Sequence, residues 1–363
     1  MARQKVCVYG ICKNEAKFAD RWMQSMGEAD EVCVLDTGSD DGTPEKLAAL
    51  GAVVACAKIR PWRFDVARNQ ALSLVPEDAD ICVCTDLDEV FAPGWREKLE
   101  KAWAPGAGRA RYRYTWSFLP DGREGVVFWL DKIHCRQGYR WKGAVHEILQ
   151  WQGPGKEPGA VFAEGIQLNH YPDREKSRGQ YLPLLEIAVR EEPENDRNMH
   201  YLGREYLYYG RYQEAIDTLK RHLTLKTALW ADERCASMRF IARSFEALGD
   251  RSQAEQWYLR GIAEAPHLRE PWLDYGMYAY KNRDWDLVVW LTERALQIRT
   301  RPRTYITEAA SWGALPYDLG ALGYYYTGRY EKALEQIKKA LTVEPGNVRL
   351  NKNRQLIEVK LAK

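Results

Sequence analysis

The second half of the chain repeats a helical pattern, and this repeat limits the folds that are possible. Residues 201–216 and 322–334 share Leu-Gly, then Gly-Arg-Tyr, then Ala followed by Ile or Leu, and looser copies occupy residues 242–254 and 275–296. Small residues at this spacing let two helices pack closely, and the glycine between them predicts a tight turn. From roughly residue 180 onward, the sequence therefore predicts helical hairpins stacked in series.

The length of these units and the residues at their ends resemble the tetratricopeptide repeat, a helical hairpin with a period of about 34 residues. Pro266 and Pro345 each follow the second helix of a unit, where the helix must end. The four units cover about half of the chain. The resemblance implies an all-α domain whose concave aromatic surface could bind a partner or an acceptor, and a generic helical bundle is the alternative.

Residues 5 to about 170 follow a different pattern, in which short apolar runs alternate with amphipathic stretches. The expected elements are a strand at 6–11, a helix at 18–26, a strand at 31–35, a helix from Pro44, a strand at 53–57, a helix at 64–74 and a strand through Ile81 and Val83. Such alternation with short connections predicts a parallel sheet with helices on its faces. We therefore expect an α/β domain over residues 1–175 and an all-α domain over residues 176–363.

Polar residues follow three of the expected strands. The fourth strand ends in Asp86 and Asp88, whose spacing of two directs both carboxylates to the same side. Two like charges held this close need a cation, and a divalent metal carrying a phosphorylated ligand is the usual partner; a solvated acidic loop is the alternative. Because ligands bind beyond the carboxyl ends of parallel strands, the loops at residues 13–15 and 36–38 should meet these carboxylates in one crevice.

The composition narrows the class of protein. The 53 basic and 51 acidic residues leave a net charge of +2, which predicts no polybasic surface for nucleic acid or anionic lipid. Most of the eight cysteines lie among apolar neighbours in the first third, where reduced cysteine behaves as a small core residue. No signal-peptide core precedes the first strand, and no apolar stretch approaches the ~20 residues of a membrane span, so we expect a soluble, cytoplasmic protein.

Five motifs in order resemble the family 2 glycosyltransferases of the GT-A fold, in the subgroup that carries C-terminal tetratricopeptide repeats. They are Ile11-Cys12-Lys13-Asn14-Glu15, residues 34–43 from Val34 to Thr43, residues 64–69 from Phe64 to Asn69, Asp86-Leu87-Asp88-Glu89, and residues 141–147 from Trp141 to Glu147. The resemblance implies a Rossmann-like GT-A domain. It also implies a metal-dependent, inverting hexosyltransferase that moves a sugar from a nucleotide-sugar, foremost a UDP-sugar, to an acceptor.

The same resemblance implies roles for single residues. Asp36 would contact the base, Asp86 the ribose, and Asp88 a Mn²⁺ or Mg²⁺ ion that bridges the diphosphate. The other residues expected at the donor are Lys13, Asn14, Glu15, Gly38 and Arg68.

An inverting transfer also needs a base on the side of the sugar opposite the diphosphate. Glu147 is the expected base, and His146 beside it is an orienting group or a metal neighbour. Since adjacent side chains of a strand point to opposite faces, one of these two should enter the cleft directly. His170 is the expected histidine of the metal shell, with His146 and His134 as the alternatives.

Two other functions are compatible with parts of the sequence. The chain could be a non-catalytic tetratricopeptide scaffold with a degenerate GT-A domain. It could also be a nucleotidyltransferase, although that class usually has a glycine-rich loop and residues 9–13 offer one glycine. The acceptor stays open between a peptide or protein side chain, a glycan and a modified base bound by the repeats, and the chain could form a homodimer.

Overall fold

The chain forms two compact units, Met1–Ala188 and Val189–Lys363. A computed structural model describes residues 3–119, 121–173, 179 and 181–362. The chain passes from the first unit to the second within the helix α5, Tyr181–Glu191. The domain boundary expected between residues 175 and 176 lies outside the described residues.

The first unit is built around one eight-stranded sheet. Its strands are β1 Val6–Cys12, β2 Glu31–Asp36, β3 Val53–Cys56, β4 Ile81–Cys84, β5 Glu89–Phe91, β6 Ala107–Thr115, β7 Val127–Cys135 and β10 Gly159–His170. Their order is β3-β2-β1-β4-β7-β6-β10-β5. The first four are parallel neighbours, β6 and β10 are parallel, and the pairs that involve β7 or β5 are antiparallel. The prediction of a mainly parallel α/β domain is confirmed.

Apolar layers cover both faces of this sheet. The helices of the first unit before α5 are α1 Ala19–Met26, α2 Thr43–Ala49, α3 Phe64–Leu74 and α4 Trp95–Ala102. Trp22 of α1 and Trp95 of α4 are fully buried in one core together with Val83 of β4. Its neighbour Cys82 enters the opposite core with Ala71 of α3, because successive strand residues point to opposite faces. The helices therefore fix the sheet from both sides and leave its carboxyl edge for the site.

Three loops open at that carboxyl edge, as the sequence predicts. Cys12 at the end of β1 lies opposite Asp36 at the end of β2. The amide of Thr85, just after β4, donates a hydrogen bond to the carbonyl of Tyr9 in β1. The loops that follow β1, β2 and β4 consequently leave the sheet side by side.

Two hairpins complete the first unit. β6 and β7 pair across a turn in which Gly122 has a φ of 83°. β8 Tyr139–Lys142 and β9 Ile148–Trp151 form a separate two-stranded sheet against the core beside α3. His146 and Glu147 lie in the turn between β8 and β9, so the expectation that they occupy a strand was wrong. His146 adopts the left-handed conformation there, with a φ of 51°, which ends the alternation of side chains.

The second unit consists of helices. They are α6 Asp196–Tyr208, α7 Tyr212–Thr224, α8 Ala231–Ala247, α9 Arg251–Glu264, α10 Arg269–Lys281, α11 Trp285–Gln297, α12 Leu315–Tyr326, α13 Tyr330–Val343 and α14 Val348–Leu361, with a short 3₁₀ helix at Ala309–Trp312. The predicted hairpins are the pairs α6–α7, α8–α9, α10–α11 and α12–α13. Gly203 of α6 lies directly against Leu219 of α7, and a Cβ atom at this position would clash with that side chain.

The four hairpins share one turn. Gly210, Gly249, Arg283 and Gly328 follow the first helix of each pair with φ angles of 72°, 81°, 61° and 76°. At each turn the next residue's amide donates to a carbonyl in the last helical turn, as in the hydrogen bond from Asp284 to Ala279. This arrangement is the Schellman motif, which favours glycine at the left-handed position. Across the described ranges, no helix is both long enough and apolar enough to cross a bilayer.

Candidate active site at the carboxyl edge of the sheet

Asp36 organises the loop after β2. Its Oδ1 accepts hydrogen bonds from the amides of Gly38 and Ser39, both at 2.9 Å, and its Oδ2 accepts one from the Ser39 hydroxyl. Asn14, in the loop after β1, accepts a hydrogen bond from the amide of Asp40 at 2.9 Å, and its own amide donates to Oγ of Ser39 at 2.8 Å. The loops after β1 and β2 thus form one hydrogen-bonded wall of the crevice.

The two residues beside Asn14 have different surroundings. Lys13 is exposed to solvent. Glu15 is buried, and its amide donates a hydrogen bond to Oγ1 of Thr43 at 2.8 Å. The Lys13 side chain is therefore open to solvent, whereas the backbone amide of Glu15 ties the first loop to the start of α2.

Asp86 lies between two cations just after β4. Nη2 of Arg68 is 2.9 Å from its Oδ1, and Nζ of Lys132 is 3.3 Å from its Oδ2. The Arg68 side chain is 5% exposed and that of Lys132 is 19% exposed. Burial favours the neutral acid, but the charges of Arg68 and Lys132 outweigh it and hold the pKa of Asp86 well below its ordinary range. Asp86 is consequently a fixed anion that protein cations already engage.

Glu89 lies buried behind Asp86. Its Oε1 accepts a hydrogen bond from the Tyr114 hydroxyl at 2.8 Å, and its Oε2 accepts one from the amide of Asp86 at 2.9 Å. Nζ of Lys132 is 3.8 Å from Oε1. Burial raises the pKa of Glu89, although Lys132 acts in the opposite direction. Glu89 therefore connects the acidic loop to Tyr114 on β6.

Asp88 faces His170 at the end of β10. Nε2 of His170 is 3.2 Å from Oδ2 of Asp88, and Nδ1 donates to the carbonyl of Trp116 at 2.8 Å. The imidazole also stacks on the Trp116 indole with 6.1 Å between ring centroids. Burial disfavours the imidazolium, but the hydrogen bond and charge of Asp88 outweigh burial and raise the pKa of His170. The two side chains are thus aimed at each other.

A carboxylate oxygen of Asp88 and a ring nitrogen of His170 are donor types that suit a divalent cation. Nδ1 of His170 donates to a backbone carbonyl, so Nε2 is the ring nitrogen that donates to Asp88 or, once deprotonated, would bind a metal ion, as metal-ligating histidines do. Oδ2 of Asp88 and Nε2 of His170 would hold such an ion, which would supply positive charge at this edge of the sheet. The described residues contain no group of three or more His, Cys, Asp and Glu side chains that could hold a metal ion. Phosphate oxygens and water would supply the remaining ligands.

Glu147 is joined to Asp86 through Arg68. Its carboxylate accepts a hydrogen bond from Nε of Arg68, and its side chain is 9% exposed. The neighbouring His146 has its ring 6.1 Å from that of Tyr181. Of the two residues expected near the acceptor, Glu147 is therefore the one that contacts the residues around Asp86.

His134, the other alternative for the metal shell, belongs to the core of β7. Its Nε2 accepts a hydrogen bond from the Tyr9 hydroxyl at 2.8 Å, and its Nδ1 donates to the carbonyl of Cys135 at 2.8 Å. Trp141 Nε1 donates in turn to the Tyr9 oxygen at 2.7 Å. Burial lowers the pKa of His134 to about 4. The ring is thus engaged in the core, and the ring nitrogen that approaches Asp88 comes from His170.

Sequence reasoning missed three groups at this site: the Lys132 ammonium, the Tyr114 hydroxyl and the Trp116 carbonyl. A charged residue within a strand of mostly apolar residues was the available signal for Lys132. Neither Tyr114 nor the Trp116 carbonyl had such a signal, because an aromatic residue in a strand is ordinarily a core residue.

Comparison with known proteins gives matches to a glycosyltransferase family and to proteins with tetratricopeptide repeats. The sequence model of the family described as "Glycosyl transferase family 2" matches residues 7–137, which include most of the sheet and the Asp86 loop. A protein of Synechococcus elongatus described as a TPR repeat-containing protein is 27% identical over 240 residues. That alignment covers 61% of this chain and 57% of the relative, so the chain matches little more than half of that protein's length.

Solved structures of repeat proteins also resemble part of the chain. The C-terminal part of a TPR repeat-containing protein from Cytophaga hutchinsonii has a TM-score of 0.41 and 16% identity, covering 51% of this chain and 66% of that one. MamA from Desulfovibrio magneticus has a TM-score of 0.37 and 18% identity, covering 46% of this chain and 85% of that one.

Proposed function

Because this chain carries a family 2 glycosyl transferase domain followed by tetratricopeptide-like repeats, we propose that it is a metal-dependent, inverting glycosyltransferase. Its donor is a nucleotide-sugar, foremost a UDP-sugar. The observation that carries the proposal is that two neighbouring carboxylates have different partners. Asp86 is held by Arg68 and Lys132, whereas Asp88 faces the imidazole of His170 at 3.2 Å.

This difference in partners supports separate roles at the donor. Asp86 is a fixed anion suited to accept hydrogen bonds from ribose hydroxyls, and Asp36 on the neighbouring wall would meet the base. A Mn²⁺ or Mg²⁺ ion held by Asp88 and His170 would offset the charge that develops on the departing diphosphate. Arg68, which contacts Asp86 and Glu147, adds a further positive charge to the site.

Glu147 is the proposed base on the acceptor side. As the acceptor atom bonds to the anomeric carbon, its proton passes to the Glu147 carboxylate and the bond from that carbon to the diphosphate oxygen breaks. Attack opposite the leaving group inverts the configuration. The guanidinium of Arg68 contacts the Glu147 carboxylate directly and holds it in place.

The acceptor is proposed to bind the repeat unit. A cleft of about 400 Å³ opens there, lined by residues of α8, α9 and α10. Its polar lining includes Arg243, Tyr258, Asp274 and Lys281. Arg243 pairs with Asp274, Lys281 pairs with Glu246, and the Tyr258 hydroxyl donates to Glu246. A peptide or a glycan would bind there by exchanging hydrogen bonds with these groups. Homodimer formation stays a proposal that size-exclusion chromatography with light scattering can test.

Thermal-shift measurement tests the proposed function. The purified protein is heated with UDP-glucose, UDP-N-acetylglucosamine, GDP-mannose or dTDP-glucose, each with and without Mn²⁺. A ligand at a hundred times its dissociation constant stabilises the bound state by about 2.7 kcal/mol, so a true donor gives a clear metal-dependent shift. Asp88→Ala should lose the metal-dependent part of that shift and the hydrolysis of the donor.

The control is Asp121→Ala, which removes a carboxylate from the β6–β7 hairpin that is paired with Arg123. It should behave as the unaltered protein. If none of the nucleotide-sugars stabilises the protein with Mn²⁺, the glycosyltransferase proposal fails and the scaffold function takes its place. Stabilisation by a nucleoside triphosphate with a sugar phosphate, but by no nucleotide-sugar, would favour a nucleotidyltransferase.

A further inference from the structure

Lys132 is a charged residue in the interior of the sheet. It belongs to β7, and its Nζ lies 3.3 Å from Oδ2 of Asp86 and 3.8 Å from Oε1 of Glu89. Its side chain is 19% exposed, so its charge is largely shielded from water. An ammonium group is costly to bury unless carboxylates offset it, and here it has two.

A β-bulge directs Lys132 toward these carboxylates. Ala110 of β6 lies opposite Ile133 of β7, but Tyr112 lies opposite Leu130, so β7 carries one extra residue between the two pairs. Leu130 and Ile133 pack against the same core although they are three residues apart. The extra residue breaks the alternation between them, and bulges commonly redirect a side chain beside a functional site.

The charges around the site show why this redirection matters. The carboxylates Asp86 and Glu147 share the guanidinium of Arg68. Lys132 forms ion pairs with Asp86 and Glu89. Without Lys132, the acidic loop would lose positive charge on the side of Glu89. A nucleoside diphosphate would then approach a more negative site, which disfavours its binding.

We propose that Lys132 is a positioning residue for the nucleotide part of the donor, acting through Asp86 and Glu89. Together with Arg68 it holds the Asp86 carboxylate, and it balances the charge of Glu89, so that Asp86 accepts hydrogen bonds from the ligand. This role rests on the proposed glycosyltransferase function. It does not require Lys132 to touch the reacting atoms.

Titration calorimetry with UDP or GDP, each with Mn²⁺, tests the role directly. Lys132→Met should weaken binding of the nucleotide that the unaltered protein prefers by about tenfold or more, the equivalent of 1.4 kcal/mol. Lys132→Gln should do the same while keeping a polar, uncharged side chain. Lys132→Arg keeps the charge and should stay within about threefold of the unaltered protein. Lys101→Met, which removes an exposed lysine paired with Glu97 on α4, is the matched control.

Steady-state hydrolysis of the donor adds a second readout. The loss in Lys132→Met and Lys132→Gln should appear mainly in KM, and Lys132→Arg should restore it, whereas a general loss of folding would lower kcat in all three. Circular dichroism and the melting temperature show which variants fold. Binding by Lys132→Gln as tight as that of the unaltered protein overturns the role of Lys132. Failure of the unaltered protein to bind either nucleotide overturns the proposed function instead.

Discussion

Glu147 and Asp86 contact the same guanidinium, that of Arg68, so a test of Glu147 needs a substitution that leaves this contact possible. Glu147→Gln keeps the size of the side chain and an oxygen that Arg68 can reach, but it removes the ability to take a proton at neutral pH. We expect transfer to fall by about 10²- to 10⁴-fold, the usual contribution of a general base. Nucleotide affinity should change only slightly. Both quantities can be measured on one preparation.

The matched control for this change is Glu157→Gln, at an exposed residue that pairs with Arg109. It should transfer sugar at the rate of the unaltered protein. Transfer at full rate by Glu147→Gln would remove that residue as the base. A large loss of nucleotide affinity in the same variant would instead show that Glu147 acts by holding Arg68 in place.

His134 should make the first unit less stable in acid. Its folded pKa of about 4 lies below the ordinary value of 6.5, so between these values the unfolded chain binds a proton that the folded chain does not. Stability is therefore lost as the pH falls through this window, by about 2 kcal/mol at pH 5. Urea unfolding followed by tryptophan fluorescence at pH 7.5 and pH 5 measures the loss. His134→Gln should lose less than the unaltered protein, and an equal loss would contradict the assignment.

Single residues were predictable where their role follows from the strand that carries them. Asp86 and Asp88 could be placed because the apolar run before them ends abruptly in carboxylates at the carboxyl edge. Lys132 stands out as a charged residue in a mostly apolar strand, but its contact with Asp86 was not predictable, because it depends on the pairing of β4 with β7 and on a bulge that leaves no sequence signature. The carbonyl of Trp116, which accepts a hydrogen bond from Nδ1 of His170, was also not predictable, because every residue type has a backbone carbonyl.

At the scale of secondary structure, the third helical hairpin departs from the other three at its turn. Arg283 holds a φ of 61° where the other turns have glycine. A residue with a side chain is strained in this conformation by about 1–2 kcal/mol, and glycine removes the strain. Part of that gain is lost, because glycine has more conformational freedom to lose when the chain folds. We expect Arg283→Gly to stabilise the second unit by about 0.5–1 kcal/mol. The urea midpoint measures the gain.

The matched control is Lys338→Gly, at an exposed position in the interior of α13. There the backbone is helical, so glycine relieves no strain and should lower the free energy of unfolding by about 1 kcal/mol through its loss of conformational freedom. Opposite signs for these two substitutions would support the left-handed turn at Arg283. Destabilisation by both would contradict it.

Strands and helices of the first unit were predictable because the spacing of apolar residues differs between them: it suits a strand in β4 and a helix in α3. The turn that carries His146 and Glu147 was not, because a positive φ is uncommon in any residue other than glycine and the surrounding sequence is typical of a continuous strand. The repeats were the most predictable part, since each helical hairpin brings its own glycine or small residue to the same place. Arg283 shows that tertiary packing can impose the turn without glycine.

At the scale of the whole molecule, the two units have separate apolar cores, one group around the sheet and the other among the repeat helices. A ligand that binds only the folded first unit stabilises that unit through mass action. In differential scanning calorimetry we therefore expect two transitions. The preferred nucleotide with Mn²⁺ should raise the midpoint of one of them, and Asp88→Ala should abolish this shift.

Arg283→Gly identifies the other transition, because its turn belongs to the repeats. It should raise the midpoint that the nucleotide leaves unchanged, by several degrees for a gain of about 1 kcal/mol. A nucleotide shift confined to the transition that Arg283→Gly also moves would mean that the ligand binds the repeats, contrary to the proposed donor site. One transition that responds equally to both would mean that the sheet and the repeats unfold together, so that a ligand of the first unit also stabilises the repeat helices.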